Sequence, residues 1–257
     1  DGLGKLVARH LSGQQAEVLL HGRNKEKGIA VLKELESQTG NNHLKYYNGD
    51  YSSLREVKEL AEEILKGQDH IDILINNAGV GAGMKTKKRE LSRDGIELRL
   101  SVNYLAHALL TEKLLPLLKP GTSRIINVAS AGQAPISFEN LMLEKSYDGY
   151  LAYMRSKTAL IMYTFDLAER LKDRGIKVNA LHPASLMNTK MVLEDWDYTM
   201  STVDQGAEAV EALIFVDLTG EYFDGKHTAT AISQTYDPEA RSKLSKVTME
   251  ILKEYLI

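Results

Sequence analysis

Tyr153 and Lys157 are the two side chains whose types and spacing most clearly suggest acid–base chemistry. They stand four residues apart within residues 148–174, where apolar residues recur at helical spacing until Gly175 ends the pattern. Side chains four apart on a helix share one face. Because a neighbouring ammonium favours the phenolate, we expect the pKa of Tyr153 to lie below its usual value of about 10. A phenol tuned in this way can exchange a proton with an alcohol or a carbonyl oxygen.

Two other polar residues stand at positions where a ligand could reach them. Ser130 follows the apolar run 123–128, and the carboxyl ends of parallel strands are where open α/β sheets bind ligands. Asn103 interrupts the leucine-rich pattern of the predicted helix 95–118, and a buried amide must find hydrogen-bond partners. Each has a plainer structural interpretation as a turn serine or a buried structural amide. The Tyr153–Lys157 pair likewise fits a half-buried tyrosine beside a solvated lysine.

Length, charge and composition exclude several classes of function. With 257 residues, a net charge of −3 and mixed acids and bases, we predict one globular domain, residues 1–257, that does not bind nucleic acid. The absence of cysteine excludes disulfides and thiolate chemistry and favours a cytoplasmic location. No apolar run approaches the roughly 20 residues of a membrane span. The seven histidines are scattered, so we predict no metal site and disfavour a metal hydrolase.

Strand-like and helix-like segments alternate along the chain. This alternation predicts the α/β class, a single doubly wound parallel sheet with helices on both faces. The predicted strands are residues 16–21, 43–48, 71–75, 123–128, 176–181 and 221–223, and the main predicted helices are residues 25–37, 54–65, 95–118, 148–174, 205–216 and 238–256.

The start of the sequence has part of a phosphate-binding pattern. Gly2 and Gly4 precede an apolar helix, where glycine would let the backbone approach a pyrophosphate and the helix N-terminus would face its charge. A plain helix N-terminus is an equal alternative. A dinucleotide fold needs a strand, a turn and then the helix, so we expect a first strand and the first glycine to be missing from this sequence.

The ends of the next two predicted strands indicate the kind of dinucleotide. The strand 16–21 ends in Gly22 and Arg23, and an arginine there suits the 2′-phosphate of NADP, whereas a carboxylate would suit NAD. A solvated arginine in a turn is the alternative. Asp50, after the strand 43–48, fits equally an acceptor for the adenine amino group or part of a turn before the next helix.

Taken together and in this order, these motifs resemble the short-chain dehydrogenase/reductase family over essentially the whole chain. The strongest joint signal is NNAG at residues 76–79 followed by the tyrosine–lysine pair, and residues 102–107 and 179–183 resemble the retinol-dehydrogenase-like and related bacterial branch. Ala184 replaces a usual glycine and Ala129 a frequent serine. The resemblance implies a Rossmann-type sheet in the family order 3-2-1-4-5-6-7, with the first strand missing.

The resemblance also implies roles for the four candidate catalytic residues. Tyr153 would be the acid/base that protonates the carbonyl oxygen during reduction, and Lys157 would lower its pKa and hydrogen-bond the nicotinamide ribose. Ser130 would hold the substrate oxygen, and Asn103 would keep a water in a proton relay to Lys157.

A further set of residues would contact the cofactor. The glycine turn would face the pyrophosphate, Arg23 the 2′-phosphate, Asp50 the adenine, and residues 77–79 the adenosine side. Thr189 resembles the threonine that meets the carboxamide, although residues 184–188 are one residue longer than the common form. The implied cofactor-binding residues are Gly2, Leu3, Gly4, Arg23, Asp50, Tyr51, Asn77, Ala78, Gly79, Tyr153, Lys157, Pro183 and Thr189.

The predicted function is therefore an NADP(H)-dependent oxidoreductase, with NAD as a possible cofactor, acting on a small-molecule carbonyl or secondary alcohol of apolar character. Substrate identity would depend on loops 80–93, 133–147 and 185–201. We expect the first to be mobile and the last to act as an adaptable lid, with plain packing of its methionine and aromatic side chains as the alternative. A catalytically silent NADP(H)-binding sensor or scaffold is the alternative. Family resemblance allows a homodimer through the Asn103 and Tyr153 helices, which an insertion before the tyrosine can block.

Overall fold

Helices and strands alternate in the computed structural model, which describes residues 1–84 and 88–257, and the predicted α/β class is confirmed. The helices are α1 (Gly2–Gly13), α2 (Lys25–Thr39), α3 (Leu54–Gly67), α4 (Leu98–Leu100), α5 (Ala106–Leu114), α6 (Gly149–Arg170), α7 (Lys190–Asp195), α8 (Val203–Ala212) and α9 (Pro238–Leu256). The strands are β1 (Val18–Gly22), β2 (Leu44–Asn48), β3 (Ile73–Asn76), β4 (Arg124–Val128), β5 (Lys177–His182), β6 (Tyr222–Asp224) and β7 (His227–Ala229).

The strands form two hydrogen-bonded groups. Parallel β1 and β2 make one pair, and the other group has the order β3-β4-β5-β6-β7. Strands β3 to β6 are parallel, whereas β7 pairs antiparallel with β6, a strand that the sequence pattern did not predict. In the predicted family order, β1 and β3 lie on either side of the strand expected before residue 1, and in the described residues they do not pair with each other.

Strands β4 and β5, in the centre of the sheet, are covered on both faces, as their nearly continuous apolar sequences predict. Successive side chains of a strand point to opposite faces. Ile125 of β4 therefore packs with the core that includes α3, α5 and α6, whereas the next residue, Ile126, packs with the core under α1 and α8. Both side chains are about 1% exposed. This arrangement places the carboxyl ends of the strands between two layers of helices.

Buried side-chain hydrogen bonds fix the register between the sheet and two of these helices. The Nδ2 of Asn76, at the end of β3, donates to Thr111 Oγ1 on α5 at 2.9 Å and to Asn127 Oδ1 on β4 at 2.8 Å. Asn127 Nδ2 then donates to Thr164 Oγ1 on α6 at 2.8 Å. A polar group buried without a partner is costly, so this chain strongly favours one alignment of β3, β4, α5 and α6.

Several predicted boundaries differ from the structure. The predicted helix 95–118 is divided into α4, a π-helical turn at Ser101–Leu105, α5 and a 3₁₀ turn at Leu115–Leu117. The predicted helix 148–174 is α6 followed by a 3₁₀ turn, with Asp148 as its N-cap. The lid 185–201, predicted as a loop, contains α7. In loop 80–93, residues 85–87 lie outside the described residues.

The last helix covers the outer surface of α3, α5 and α6. Leu244 and Leu252 are buried there, Tyr104 and Thr248 share a 2.6 Å hydrogen bond, and Arg241 forms an ion pair with Asp166 of α6 at 3.1 Å. A homodimer that used the α5 and α6 helices would therefore need a surface that α9 does not cover. In the described residues, no helix is long and apolar enough to cross a membrane.

We expect Leu252→Ala to lower the free energy of unfolding by about 2–5 kcal/mol, because it removes a fully buried side chain from this surface. Met249→Ala is the matched control on the same helix, since Met249 is 45% exposed, and should change stability by less than about 0.5 kcal/mol. Urea unfolding measures both changes. Equal effects of the two substitutions would show that α9 does not pack as described.

Candidate active site

The π-helical turn at Ser101–Leu105 directs the amide of Asn103 toward the loop that follows β3. Asn103 Oδ1 accepts a hydrogen bond from Val80 N at 2.8 Å, and Nδ2 donates to Val80 O at 3.1 Å and to Ser156 Oγ on α6 at 3.1 Å. The residue is fully buried. Single π turns inside α-helices are frequent at functional sites. Asn103 therefore joins the β3 loop to the helix that carries Tyr153.

Gly79 leaves the space that this arrangement requires. A Cβ on Gly79 would lie 3.1 Å from Asn103 Oδ1 and 3.8 Å from Lys157 Nζ. The first distance is shorter than ordinary van der Waals contact, so a larger residue would displace the amide. The end of the NNAG motif, Asn103 and Lys157 are thus immediate neighbours, as the resemblance implies.

Lys157 is buried beneath the ring of Tyr153. Its ammonium donates to the Val128 carbonyl at the end of β4 at 2.8 Å and lies 5.9 Å from the centre of the Tyr153 ring. Burial disfavours the charged form and lowers the pKa of Lys157 to about 8.

The expected direction of the Tyr153 shift is wrong for the structure as it stands. Burial raises the pKa of Tyr153 above its ordinary value, and the weaker influences of Tyr150 and Asp195 act in the same direction. A hydrogen bond to the Ser130 side chain opposes the rise, and Lys157 is not among the causes of the shift. The phenol is therefore protonated at neutral pH. Spacing places the tyrosine and lysine on one face of α6, but it does not show how far both are removed from water.

Ser130 is held in place by residues that the sequence analysis did not identify. Its Oγ accepts from Gly132 N at 3.0 Å, and its carbonyl accepts from Tyr222 Oη on β6 at 3.0 Å and from Gln133 Nε2 at 3.1 Å. Of these residues, only Ser130 could be predicted, from its position directly after a strand. The two partners gave no signal, because a tyrosine in a short strand and a glutamine in a loop are common.

The residues predicted to surround the pyrophosphate come together at the start of α1. A Cβ on Gly4 would lie 2.6 Å from Asn77 Nδ2, and one on Gly2 would lie 3.1 Å from the methyl group of Thr189. Glycine therefore permits both close approaches. Thr189 is also the N-cap of α7 and accepts from Val192 N at 3.4 Å, while Leu3 is buried against α8. These contacts fit a narrow backbone cradle for a dinucleotide.

The residues predicted to bind the adenosine end of the cofactor differ in their exposure and in their partners. Arg23 is exposed at the end of β1. Asp50 is part of the turn before α3, because it accepts from Ser52 N at 2.9 Å, and it also pairs with Arg93 at 3.3 Å. Its role as an acceptor for the adenine amino group stays a prediction. The Tyr51 side chain is buried and stacks on His21.

His107, which was not predicted as a site residue, holds the turn formed by the NNAG motif. His107 Nε2 lies 2.7 Å from the Ala78 carbonyl, and its ring meets the edge of Tyr51. Burial is the main cause that lowers the pKa of His107 to about 3, so the neutral ring donates from Nε2. The signal was present: His107 is a second polar residue in the same leucine-rich helix, four positions after Asn103.

Pro183 is buried just after β5.

The fold and the site together define the class of the protein. The chain belongs to the short-chain dehydrogenase family, whose model matches residues 1–198. Members of this family are oxidoreductases that use a nicotinamide dinucleotide, and this chain is therefore an oxidoreductase. The described residues include no group of three or more histidine, aspartate or glutamate side chains that could hold a metal ion.

Comparison with individual proteins places the chain among retinol-dehydrogenase-like members. It is 33% identical to human retinol dehydrogenase 11 over 266 residues, covering 98% of this chain and 82% of the relative. It is 31% identical to human retinol dehydrogenase 13 over 265 residues, with 95% and 79% covered. A crystal structure of an uncharacterised protein from Mycobacterium paratuberculosis superposes with a TM-score of 0.81 at 26% identity, covering 98% of this chain and 90% of the other.

The burial of Lys157 predicts a specific pH dependence of stability. Its pKa is about 8 in the folded protein and about 10.5 in the unfolded chain, so between these values the unfolded chain binds more protons and the free energy of unfolding rises with pH. We expect wild type to gain about 3 kcal/mol relative to Lys157→Met between roughly pH 7 and pH 10.5. Chemical unfolding at a series of pH values tests this. Parallel pH curves for the two proteins would contradict it.

Proposed function

We propose that this chain is an NADP(H)-dependent oxidoreductase that interconverts an apolar carbonyl compound and its secondary alcohol. The observation that carries the proposal is that the Tyr153 phenol lies close enough to the Ser130 side chain for that side chain to lower its pKa, with the buried Lys157 ammonium under the Tyr153 ring. A carbonyl oxygen placed at the two hydroxyls would receive one hydrogen bond from each. Such donors stabilise the negative charge that develops on the oxygen during reduction.

The protonation state of Tyr153 suits the role of general acid. The phenol is protonated at neutral pH, and burial raises its pKa further, so it can donate its proton to the substrate oxygen as that oxygen becomes an alkoxide. Lys157 lies below the ring, and its pKa of about 8 allows it to hold or release a proton near working pH. In oxidation the same groups act in reverse, with the phenolate form of Tyr153 accepting the alcohol proton.

The cofactor, when bound, supplies or accepts the hydride at the substrate carbon. Gly2 and Gly4 would hold its pyrophosphate side, and residues 77–79 its adenosine side. Asn103 would keep the proposed water of a proton relay to Lys157. An exposed arginine with no neighbouring acid at the end of β1 supports NADP over NAD, because a guanidinium can pair with the 2′-phosphate.

The proposed preference for an apolar substrate rests on the aromatic side chains beside the site. A Cβ on Gly132 would lie 3.5 Å from both Ser130 Oγ and Tyr150 Oη, so Tyr150 borders the reacting position. Tyr150 meets the edge of Trp196, which in turn meets Tyr198. These three aromatic rings, each in contact with the next, offer apolar area with few polar groups, which favours a substrate with a large hydrocarbon part.

Tyr153→Phe should lower turnover at least about a hundredfold, because it removes the proton that the reaction needs. The dissociation constant for NADPH should change little. Tyr163→Phe is the matched control, since it removes a hydroxyl from the same helix that hydrogen-bonds Glu112 at 3.0 Å outside the site. Turnover with a panel of apolar aldehydes and ketones is measured by NADPH absorbance. Retained activity in Tyr153→Phe would sink the acid/base role, and NADPH binding without turnover of any substrate would favour the silent-sensor alternative.

Arg23→Gln should raise the KM for NADPH about tenfold, the loss of roughly one charge-assisted contact at an exposed site. The KM for NADH should stay within about twofold, because NADH has no 2′-phosphate. Arg55→Gln on α3, whose side chain is 81% exposed, controls for the general loss of a surface charge. Equal changes for the two cofactors would show that Arg23 does not read the phosphate.

A further inference from the structure

The helix in the lid, α7, is attached to the loop that follows β3 by one carboxylate. Asp195 Oδ1 accepts from Met84 N at 2.8 Å, and Oδ2 accepts from Gly83 N at 3.1 Å. A Cβ on Gly81 would lie 2.8 Å from Oδ2, so the absence of a side chain there permits the approach. Two backbone N–H groups thus point at the two oxygens of a single side chain, which is a strong form of hydrogen bonding because the acceptor is charged.

The loop that receives Asp195 is itself fixed to the body of the protein. Asn103 binds both backbone groups of Val80, and Arg99 Nε donates to the Gly81 carbonyl at 3.0 Å. The Arg99 side chain is only 3% exposed and also donates to Tyr147 Oη at 2.8 Å. Residues 80 and 81 at the start of this loop are therefore held firmly. Whatever Asp195 binds there acquires a fixed position relative to Asn103 and the active site.

The attached helix spans both ends of the proposed site. At its start, Thr189 contacts Gly2 beside the proposed pyrophosphate position. At its end, Trp196 contacts Tyr150 beside Ser130, with ring centres 6.3 Å apart. Asp195 is also close enough to Tyr153 to influence its pKa. The helix thus lies across the opening between the cofactor side and the substrate side.

The position of Asp195 is unfavourable for the helix alone. It is the last residue of α7, where the helix dipole presents its negative end and a carboxylate is disfavoured. Helix propensity therefore gives no reason for an acid at this position. The contacts with Gly83 and Met84 do give one, because they supply donors to both oxygens.

We propose that Asp195 is a positioning residue that holds the lid closed over the substrate by binding the backbone of residues 83 and 84. The proposal rests on the proposed function, because it assigns the lid to the same reaction. While Asp195 binds the loop, Trp196 and Tyr150 stay together and close the substrate side of the site. When these hydrogen bonds break, α7 moves away from the loop, and the substrate must supply the free energy to order the lid again.

The only tryptophan in the chain is next to the proposed contact, which makes the lid directly observable. Trp196 fluorescence is measured with and without NADP⁺ in the full chain for wild type, Asp195→Ala and Asp195→Asn. Glu194→Gln is the matched control, since Glu194 lies on the same helix with a 64% exposed side chain and pairs only at 3.7 Å with Lys190. We expect Asp195→Ala to shift emission to longer wavelength and raise acrylamide quenching about twofold, because the indole gains contact with water. Asn keeps one acceptor oxygen and should give an intermediate value.

Kinetics give the second measurement. Asp195→Ala should raise the KM for the carbonyl substrate about tenfold, a loss typical of charge-assisted hydrogen bonds at a partly exposed site. The dissociation constant for NADPH should stay within about twofold, and kcat should not fall, since closure precedes the chemistry. Glu194→Gln should match wild type in every measurement.

The outcomes separate this proposal from the proposed function. Fluorescence of Asp195→Ala equal to that of Glu194→Gln overturns the contact, whatever the activity. A fluorescence change with an unchanged substrate KM shows that the contact exists but does not serve the substrate, and this also overturns the proposal. If wild type turns over no carbonyl compound, the proposed function fails, while the fluorescence comparison still decides whether Asp195 holds the lid.

Discussion

The buried amide of Asn103 is the interaction on which the arrangement of the site depends. Three of its hydrogen bonds go to the β3 loop and to α6, so one side chain sets the distance between the segment proposed to hold the cofactor and the helix that carries Tyr153 and Lys157. A fully buried amide leaves little choice, since each unmade hydrogen bond has a cost. The π turn is what presents the amide in the required direction. Gly79 completes the arrangement by leaving room for it.

Burial also determines the chemistry of the two titratable groups. The same removal from water raises the pKa of Tyr153 and lowers that of Lys157, because burial disfavours the charged form of each group. A neutral phenol donates a proton, and an amine with a pKa of about 8 can exchange one near neutral pH. A positively charged nicotinamide nearby would favour the phenolate and so act against burial. The protein therefore keeps Tyr153 protonated, and a positive charge near the phenol can lower its pKa.

Much of the fold followed from sequence because its signals are local. The alternation of apolar strands and amphipathic helices predicted β1 to β6 and a parallel sheet, whereas the strand order was implied by the family resemblance. Spacing on a helix paired Tyr153 with Lys157. Asn103 was found because an amide among leucines is unexpected. The features that sequence did not show depend on distant parts of the chain: β7 forms by pairing with β6, and the pKa of Tyr153 depends on its burial and on the neighbouring Ser130, Tyr150 and Asp195. Asp195 gave no signal, because its partners are backbone groups more than a hundred residues away.

The cover formed by α9 connects stability with the site in a further way. The helix packs on α3, α5 and α6; α5 directly follows the π turn that contains Asn103, and α6 carries Tyr153. Helices that share a buried surface open together in the native state, as one cooperative unit with a common opening free energy. Amide hydrogens in α5, α6 and α9 should therefore exchange with solvent as a group, whereas those of α7, held chiefly at its two ends, should exchange sooner. The molecule would thus combine a slowly opening unit of α5, α6 and α9 with a rapidly opening lid helix, α7.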